Sequence, residues 1–427
     1  METAVQILVL VVAAAMVIFS MHVGRERLHP AALHAGTWLV VCSIYLFTPH
    51  SMRQLSTQSL LCVLLAVLSF SSSALLASRE TPGVARSPQA TFALTRWREL
   101  LFILPLLGMP LFLLKAQALA QSTPYTESDF INLRIALTGV REETQTYGVL
   151  GYLIPIAFAS VFVELAASKG RRFNWRGWVS LILSCIYAVL STGRTYLFLL
   201  VTTTAFIMLL QRRARFSQVA LLALSLFSAA FFGLGMLANK IGADTPNPDA
   251  LEAFDALALY LLGGVAAFDV WLEMPSRLEW GLNALRTPLA VAQALGADVT
   301  VLPLVKEYVY IPLPTNVYTA LQPYYADFSW PGLLAFFAIF GSLHGWLYKR
   351  ALQPGADPRT VIFASIAMYP LLLQFFQDQY LSLLSTWVTF FLLVLPAFRR
   401  DHSRPTPSSD SATTKLGQAP VTVAGAE

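Results

Sequence analysis

Apolar runs about as long as a membrane crossing recur along almost the whole chain, set apart by short polar segments. A helix needs ~20 mostly apolar residues to cross a bilayer. Eleven segments meet or approach that length: 5–22, 32–48, 57–77, 99–119, 148–166, 177–192, 195–210, 217–237, 328–348, 360–377 and 380–398. Backbone groups in lipid must pair within their own segment, so each run is expected to be a helix. The expected fold class is therefore an all-α polytopic membrane protein of about 11 transmembrane helices. Residues 1–400 form one integral unit, and the Ser/Thr/Pro-rich tail 401–427 is expected to be disordered.

The connections alternate in character. One set is basic: Arg25 and Arg27; Arg79, Arg86, Arg96 and Arg98; Lys169, Arg171, Arg172 and Arg176; Arg212, Arg213 and Arg215; Lys349, Arg350 and Arg359; Arg399 and Arg400. All fall on one side of the bilayer under this span list, which the charge rule makes cytoplasmic. The N-terminus is then outside and the C-terminus cytoplasmic. Glu2 precedes the first apolar run and the arginines follow it, the reverse of a cleaved signal peptide. Two long segments, about 120–147 and 238–327, face the opposite side. The second holds an apolar stretch, Ala250 to Trp271, broken by Glu252, Asp255, Gly263-Gly264 and Asp269. It is expected to lie at the outer interface or dip into it. If it spanned, every later basic loop would change sides.

Composition agrees. The chain of 427 residues is 56% hydrophobic and 12% charged, where a soluble domain carries ~25% charge. The net charge of +5 sits in loops beside spans and is no nucleic-acid signal. Cys42, Cys62 and Cys185 lie in apolar runs and read as small buried hydrophobes, with no disulfide and no metal site expected. No phosphate-binding loop, dinucleotide fingerprint or zinc motif is present, so no cofactor is expected.

Candidate chemistry collects on the loop-rich side. Pro314-Thr315-Asn316-Val317-Tyr318-Thr319 leads through Tyr324, Tyr325 and Asp327 into an apolar span. Lipid does not select such a polar, aromatic, acidic segment, whereas a site facing sugar does. Asp327 is read either as a helix N-cap ahead of Pro331 or as a group that activates or orients an acceptor. Tyr318 and Trp330 are equally readable as aromatic-belt anchors. Arg194 sits in the tight turn Ser191-Thr192-Gly193, where Gly193 is expected to allow the bend. It either snorkels or binds a diphosphate, for which a guanidinium is always charged and bidentate. Arg134 and Arg141 are spaced to share one side of a helix and to join it, or else lie on a solvated interface helix with Arg141 paired to Glu142 or Glu143. Arg277, Arg286 and Lys306 are further cations on this side that the sequence does not rank. His50 is the histidine nearest this face, so a carboxylate (Asp327, Glu142 or Asp378) is the better base candidate.

These residues resemble a known family. Thr192-Gly193-Arg194 opening a span, the Pro314–Thr319 segment, Tyr325-Ala326-Asp327-Phe328 leading into a glycine-containing span, and Leu133-Arg134 in the first outer segment look like the bacterial oligosaccharide repeat-unit polymerases, which make O-antigen and exopolysaccharide. Family members commonly have glycine after the Asp-Phe pair, where this chain has Ser329. The resemblance implies a GT-C-like membrane glycosyltransferase in the bacterial inner membrane. Its substrate would be an undecaprenyl-diphosphate-linked oligosaccharide, with a chain-length regulator and a flippase as partners. It also implies roles: Arg194 and Arg134, helped by Arg141, on the diphosphate; Asn316, Tyr318, Tyr324 and Tyr325 on sugar, with Arg277 and Arg286 as further substrate contacts; Asp327 at the acceptor. An O-antigen ligase shares the donor and topology. A lipid-linked oligosaccharide flippase is the rival from another class, though transporters usually show related halves and charged midplane helices.

Overall fold

The computed structural model describes residues 2–24, 28–48, 50–79, 91–138, 145–168, 174–215, 217–218, 250–274, 278–303, 306–311 and 314–401. Most of the expected span 217–237, the tail beyond 401, Arg141 and Arg277 lie outside them. In chain order the elements are α1 (Glu2–Gly24), α2 (Pro30–Phe47), α3 (Thr57–Ser78), β1 (Thr91–Leu94), α4 (Trp97–Ser122), α5 (Asp129–Thr138), α6 (Leu153–Ala167), α7 (Trp175–Leu190) and α8 (Arg194–Leu210). They continue as α9 (Ala250–Leu272), α10 (Arg286–Ala294), β2 (Val309–Tyr310), β3 (Pro314–Thr315), α11 (Leu321–Ala351), α12 (Pro358–Leu373), α13 (Leu384–Val394) and β4 (Phe398–Asp401).

The chain is mostly helical, as its apolar periodicity predicts. Among the described residues, six helical segments are long and apolar enough to cross a membrane: 4–24, α2, α3, α4, 148–167 and α11. The shorter α7, α8, α12 and α13 region pack among them. Helix starts use local chemistry. Ser56 Oγ accepts from Ser59 N at 3.2 Å ahead of α3, and Asn174 Oδ1 accepts from Gly177 N at 2.7 Å ahead of α7. Pro30 and Pro358 occupy first-turn positions of α2 and α12. The expectation of a purely helical fold needs one correction. Two antiparallel ribbons are present, β1 with β4 and β2 with β3. The first uses Phe398–Asp401, so the last apolar segment stops short of that strand.

The bundle core is built on α3 against α11. Gly341 and Gly345 are spaced one helical turn apart, and a Cβ on either would stand 2.2 Å from a main-chain oxygen of α3, Phe70 O and Ala74 O respectively. Small residues at this spacing let two helices in lipid approach closely. Ser69 Oγ donates to Leu334 O at 2.7 Å along the same seam.

The two ends of the bundle differ. At one end Glu164 of α6 receives Arg98 Nε at 2.5 Å and Nη2 at 2.7 Å, with Asn174 Nδ2 at 2.9 Å. Arg213 there reaches Leu165 O at 2.9 Å, Lys349 caps Arg79 O, and β1 pairs with β4. Arg176 Nη1 donates to Glu99 Oε1 at 2.7 Å, and together these contacts involve a described member of each basic cluster from Arg79 onward. At the other end lie the start of α3, α5, the α7–α8 turn, α9, α10, the β2–β3 ribbon and the 374–383 turn.

α9 lies across this second end. Its Asp269, fully buried, accepts from Ser56 N at 2.8 Å and Ser59 Oγ at 2.6 Å at the start of α3. A Cβ on Gly264 would meet Phe375 O and Phe376 O at 2.7 Å, so helix and turn touch backbone to backbone. These contacts hold α9 against the elements of this end. The side chains of Glu252 and Asp255 lie outside the described ones. Cys42 and Cys62 are buried, but Cys185 is exposed on the outward face of α7, which corrects its reading as a buried hydrophobe.

Candidate functional site

Two arginines converge on one tyrosine at the loop-rich end. Arg194 opens α8, and its guanidinium carbon lies 5.0 Å from the Tyr260 ring centroid on α9, within cation–π range. Arg134 on α5 lies close enough to feel both groups. Burial pushes its guanidinium pKa down, Tyr260 pulls it up, and Arg194 pushes it down further. A site in which two guanidiniums repel each other favours a polyanion, since each cation raises the cost of the other until negative charge arrives.

A second half-site holds carboxylates. Asp327 is fully buried. Its Oδ1 accepts from Asn283 N at 3.1 Å and Asn283 Nδ2 at 2.9 Å, and its Oδ2 from Ala284 N at 2.7 Å. Asp378, also buried, accepts from Tyr324 Oη at 2.8 Å, Tyr380 N at 3.0 Å, Ser382 N at 3.0 Å and Ser382 Oγ at 2.6 Å. Glu279 is only half-buried, and Asn283 Nδ2 donates to its Oε2. Lys306 sits among all three acids. It donates to Gln322 Oε1 and lies 5.7 Å from the Tyr318 ring centroid. Burial pushes its ammonium pKa down to about 8, against the upward pull of Asp378, Glu279 and Asp327.

The halves are physically joined. Tyr260 stacks on Phe376 at 6.3 Å, two residues before Asp378 in the 374–383 turn. Ala320 N donates to Gln374 O at 2.8 Å, which ties the Pro314–Thr319 segment to the same turn.

Backbone strain marks this end. Four non-glycine residues among those described have positive φ: Thr192 (54°), Arg212 (55°), Trp280 (48°) and Ser329 (56°). Three of them adjoin the two half-sites. Such conformations cost about 1–3 kcal/mol each and persist where surroundings over-determine them. Ser329, at φ 56° and ψ −145°, interrupts α11. The break frees carbonyls of the first half-helix, and Glu279 N and Trp280 N donate to Ala326 O and Asp327 O at 3.1 and 3.2 Å. This backbone region is nearly glycine-only, which gives a physical reason for the glycine that resembling proteins carry after Asp-Phe. At the α7–α8 turn the left-handed residue is Thr192, while Gly193 has φ −89°. The bend expected from Gly193 is therefore made by its neighbour.

The residues singled out from sequence meet different fates. Arg134 and Arg194 come together. Asp327 lies inside a helix that starts at Leu321, so it does not cap its own helix; it caps the turn ahead of α10. Tyr318 is buried with its hydroxyl on Glu307 O at 2.8 Å, and so is no belt anchor. Tyr324 is buried against Asp378. Tyr325 Oη accepts from Gln58 Nε2 at 2.9 Å. Asn316 is half-buried beside Tyr318. Arg286 Nε donates to Leu302 O at 2.9 Å, a loop tie. His50 uses both ring nitrogens in the α2–α3 turn, on Tyr45 O at 2.7 Å and Met52 N at 3.2 Å. Sequence reasoning did not single out Tyr260 or Glu279, and it named Lys306 without ranking it. The usable signal for Lys306 was a lysine that, with its neighbour Glu307, interrupts a stretch otherwise apolar and aromatic; Tyr260 carried none.

Comparison with known proteins adds one relative. The chain is 26% identical over 278 residues, 64% of its own length and 68% of the other's, to an O-antigen polymerase of Shigella dysenteriae. The resemblance read from the short motifs is thereby supported across most of the chain. No family model and no solved structure matches.

Proposed function

We propose that this chain polymerises undecaprenyl-diphosphate-linked oligosaccharide repeat units into O-antigen or exopolysaccharide at the periplasmic face of the bacterial inner membrane. The observation that carries the reading is the convergence of Arg134 and Arg194 on Tyr260, joined through Phe376 to a cluster of acids. An eleven-span, GT-C-like arrangement with the basic end cytoplasmic fits the positive-inside rule and places both half-sites outside. The O-antigen polymerase relative supports the substrate class.

In this reading an acceptor hydroxyl on a new lipid-linked repeat unit attacks the anomeric carbon of the growing chain. The bond from that carbon to the diphosphate oxygen breaks, and its electron pair leaves with undecaprenyl diphosphate. Arg194 and Arg134, with Arg141 assisting, stabilise the charge that develops there. No metal is required for this step, because two guanidiniums supply fixed positive charge. Glu279, rather than Asp327, takes the acceptor proton: it is the half-buried acid of the three, whereas Asp327 and Asp378 are buried with their oxygens engaged. Asp327 positions the Glu279–Ala284 turn. The ring of Trp280, 73% exposed, offers a face for sugar beside Glu279. Asn316 and Tyr325 complete the sugar side. Tyr318 and Tyr324 act beneath it, and Arg277 and Arg286 serve as further substrate contacts in this reading. A chain-length regulator and a flippase are the expected partners.

The test is the surface glycan of cells lacking the gene, complemented with the wild-type chain. A ladder that collapses to one repeat unit and is restored supports a polymerase. Loss of all surface glycan, with lipid-linked precursor accumulating, points to a ligase or flippase instead.

A further inference from the structure

An apolar groove of about 580 Å³ runs along the C-terminal half of α4 and under α5. Pro110, Leu113, Leu114 and Ala116 line its α4 wall; Phe130 and Leu133 of α5 and Leu190 at the end of α7 close it. Phe112 of α4 stacks on Tyr147 at 4.1 Å, and Tyr147 Oη donates to Leu190 O at 2.6 Å, which ties α4 to the end of α7.

Two of these lining residues identify the far end. Leu133 is the chain neighbour of Arg134. Leu190 lies four residues before Arg194, in the turn that presents it. The apolar trough therefore ends between the elements that carry both arginines. Its polar lining, Asp129 and Gln117, comes from elsewhere. Asp129, at the start of α5, lies five residues before Arg134, about 7.5 Å along the helix axis. A molecule that suits the whole feature is a long apolar chain bonded to a compact polyanion.

We infer that this groove is the seat of the polyprenyl tail of a polyprenyl diphosphate, with Arg134 and Arg194 receiving the diphosphate. The assignment rests on the proposed polymerase reading and fixes where its lipid-linked substrate docks. A phospholipid fits less well, because its two acyl chains meet at a zwitterionic or singly charged headgroup and do not call for paired guanidiniums. The groove volume also falls within the range of specific ligand pockets, about 300–1,000 Å³.

The experiment uses the full-length protein in nanodiscs and a polyprenyl diphosphate bearing a photoreactive diazirine near the end of its tail. Labelled peptides are mapped after illumination. The expected result is labelling concentrated on 110–120 and 129–133. Unlabelled polyprenyl diphosphate in about tenfold excess should lower it about tenfold by mass action, and the same excess of phosphatidylethanolamine should leave it unchanged. Leu114→Trp fills the groove from an exposed position and should abolish the focused labelling. Ala116→Phe does so from a buried one and serves only if it folds. Labelling spread over all lipid-facing helices, or insensitive to the diphosphate competitor, overturns the inference. Focused, competed labelling in a protein that fails to extend glycan in cells would leave the groove assigned and the polymerase reading refuted.

Discussion

Replacing Asp327 separates a positioning role from a chemical one. Its carboxylate is fully buried and receives three hydrogen bonds, two of them from main-chain N–H groups of Asn283 and Ala284. Asp327→Ala strands both N–H groups where water does not reach. Each buried donor left unsatisfied costs about 1–3 kcal/mol, so the loss is about 2–6 kcal/mol. Asp327→Asn keeps one acceptor oxygen and turns an NH₂ toward a donor, a loss of about 1–3 kcal/mol on the same scale. The assay is equilibrium unfolding of purified protein in mixed micelles, paired with transfer rate per folded molecule across pH. The account predicts lower stability for both variants. It also predicts an acidic limb of the rate profile that survives in Asp327→Asn, because the proton acceptor is Glu279. Unchanged stability in Asp327→Asn, together with loss of transfer and of that limb, would make Asp327 the base and refute the reasoning.

Other outcomes follow from the same geometry. Ser329→Gly relieves a residue at φ 56°, and should raise stability by about 1 kcal/mol, the left-handed strain less the entropy glycine adds to the unfolded chain; the same unfolding assay reads it. The Lys306 pKa drops from 10.5 unfolded to about 8 folded, so the unfolded chain holds more protons between those values and stability should rise with pH across that window. Transfer should meanwhile fall as pH passes about 8 if the ammonium balances Glu279, Asp327 and Asp378. Lys306→Arg keeps the charge and should carry that alkaline limb upward in a pH–rate profile. Gly341→Ala drives a methyl against Phe70 O, 2.2 Å from the ideal Cβ, and should destabilise by about 1–3 kcal/mol of overpacking, seen as reduced folded yield and earlier unfolding.

Much of the fold was legible in the sequence because lipid imposes a simple rule. The apolar runs of α1 to α4, α6 to α8 and α12 fall close to their expected bounds, α11 begins seven residues before its expected start and takes in Asp327, and the basic clusters gather at one end. The ribbon of β1 with β4 was not legible: it joins residues 91–94 to 398–401, a pairing that no local pattern announces. The motifs around Arg194 and Asp327 were visible as polar residues where lipid would not place them. Their partners were not. Tyr260 is an ordinary residue of an apolar stretch until α9 is laid across the bundle. The inward turn of Tyr318 and Tyr324 also depends on contacts with distant segments. Glu279 gained its interest only when Asp327 and Asp378 were found fully engaged.

The central claim is that Arg134 and Arg194 receive the diphosphate together. Its most direct test is the affinity of the purified protein in nanodiscs for polyprenyl diphosphate, measured for wild type, Arg194→Ala, Arg134→Ala and the double variant. The account predicts a loss of about 1.5–3 kcal/mol for each single change, the scale of a charged hydrogen bond. It also predicts a double-variant loss that departs from their sum, since the two guanidiniums share one ligand. Wild-type affinity in Arg194→Ala, with the protein folded, would contradict it.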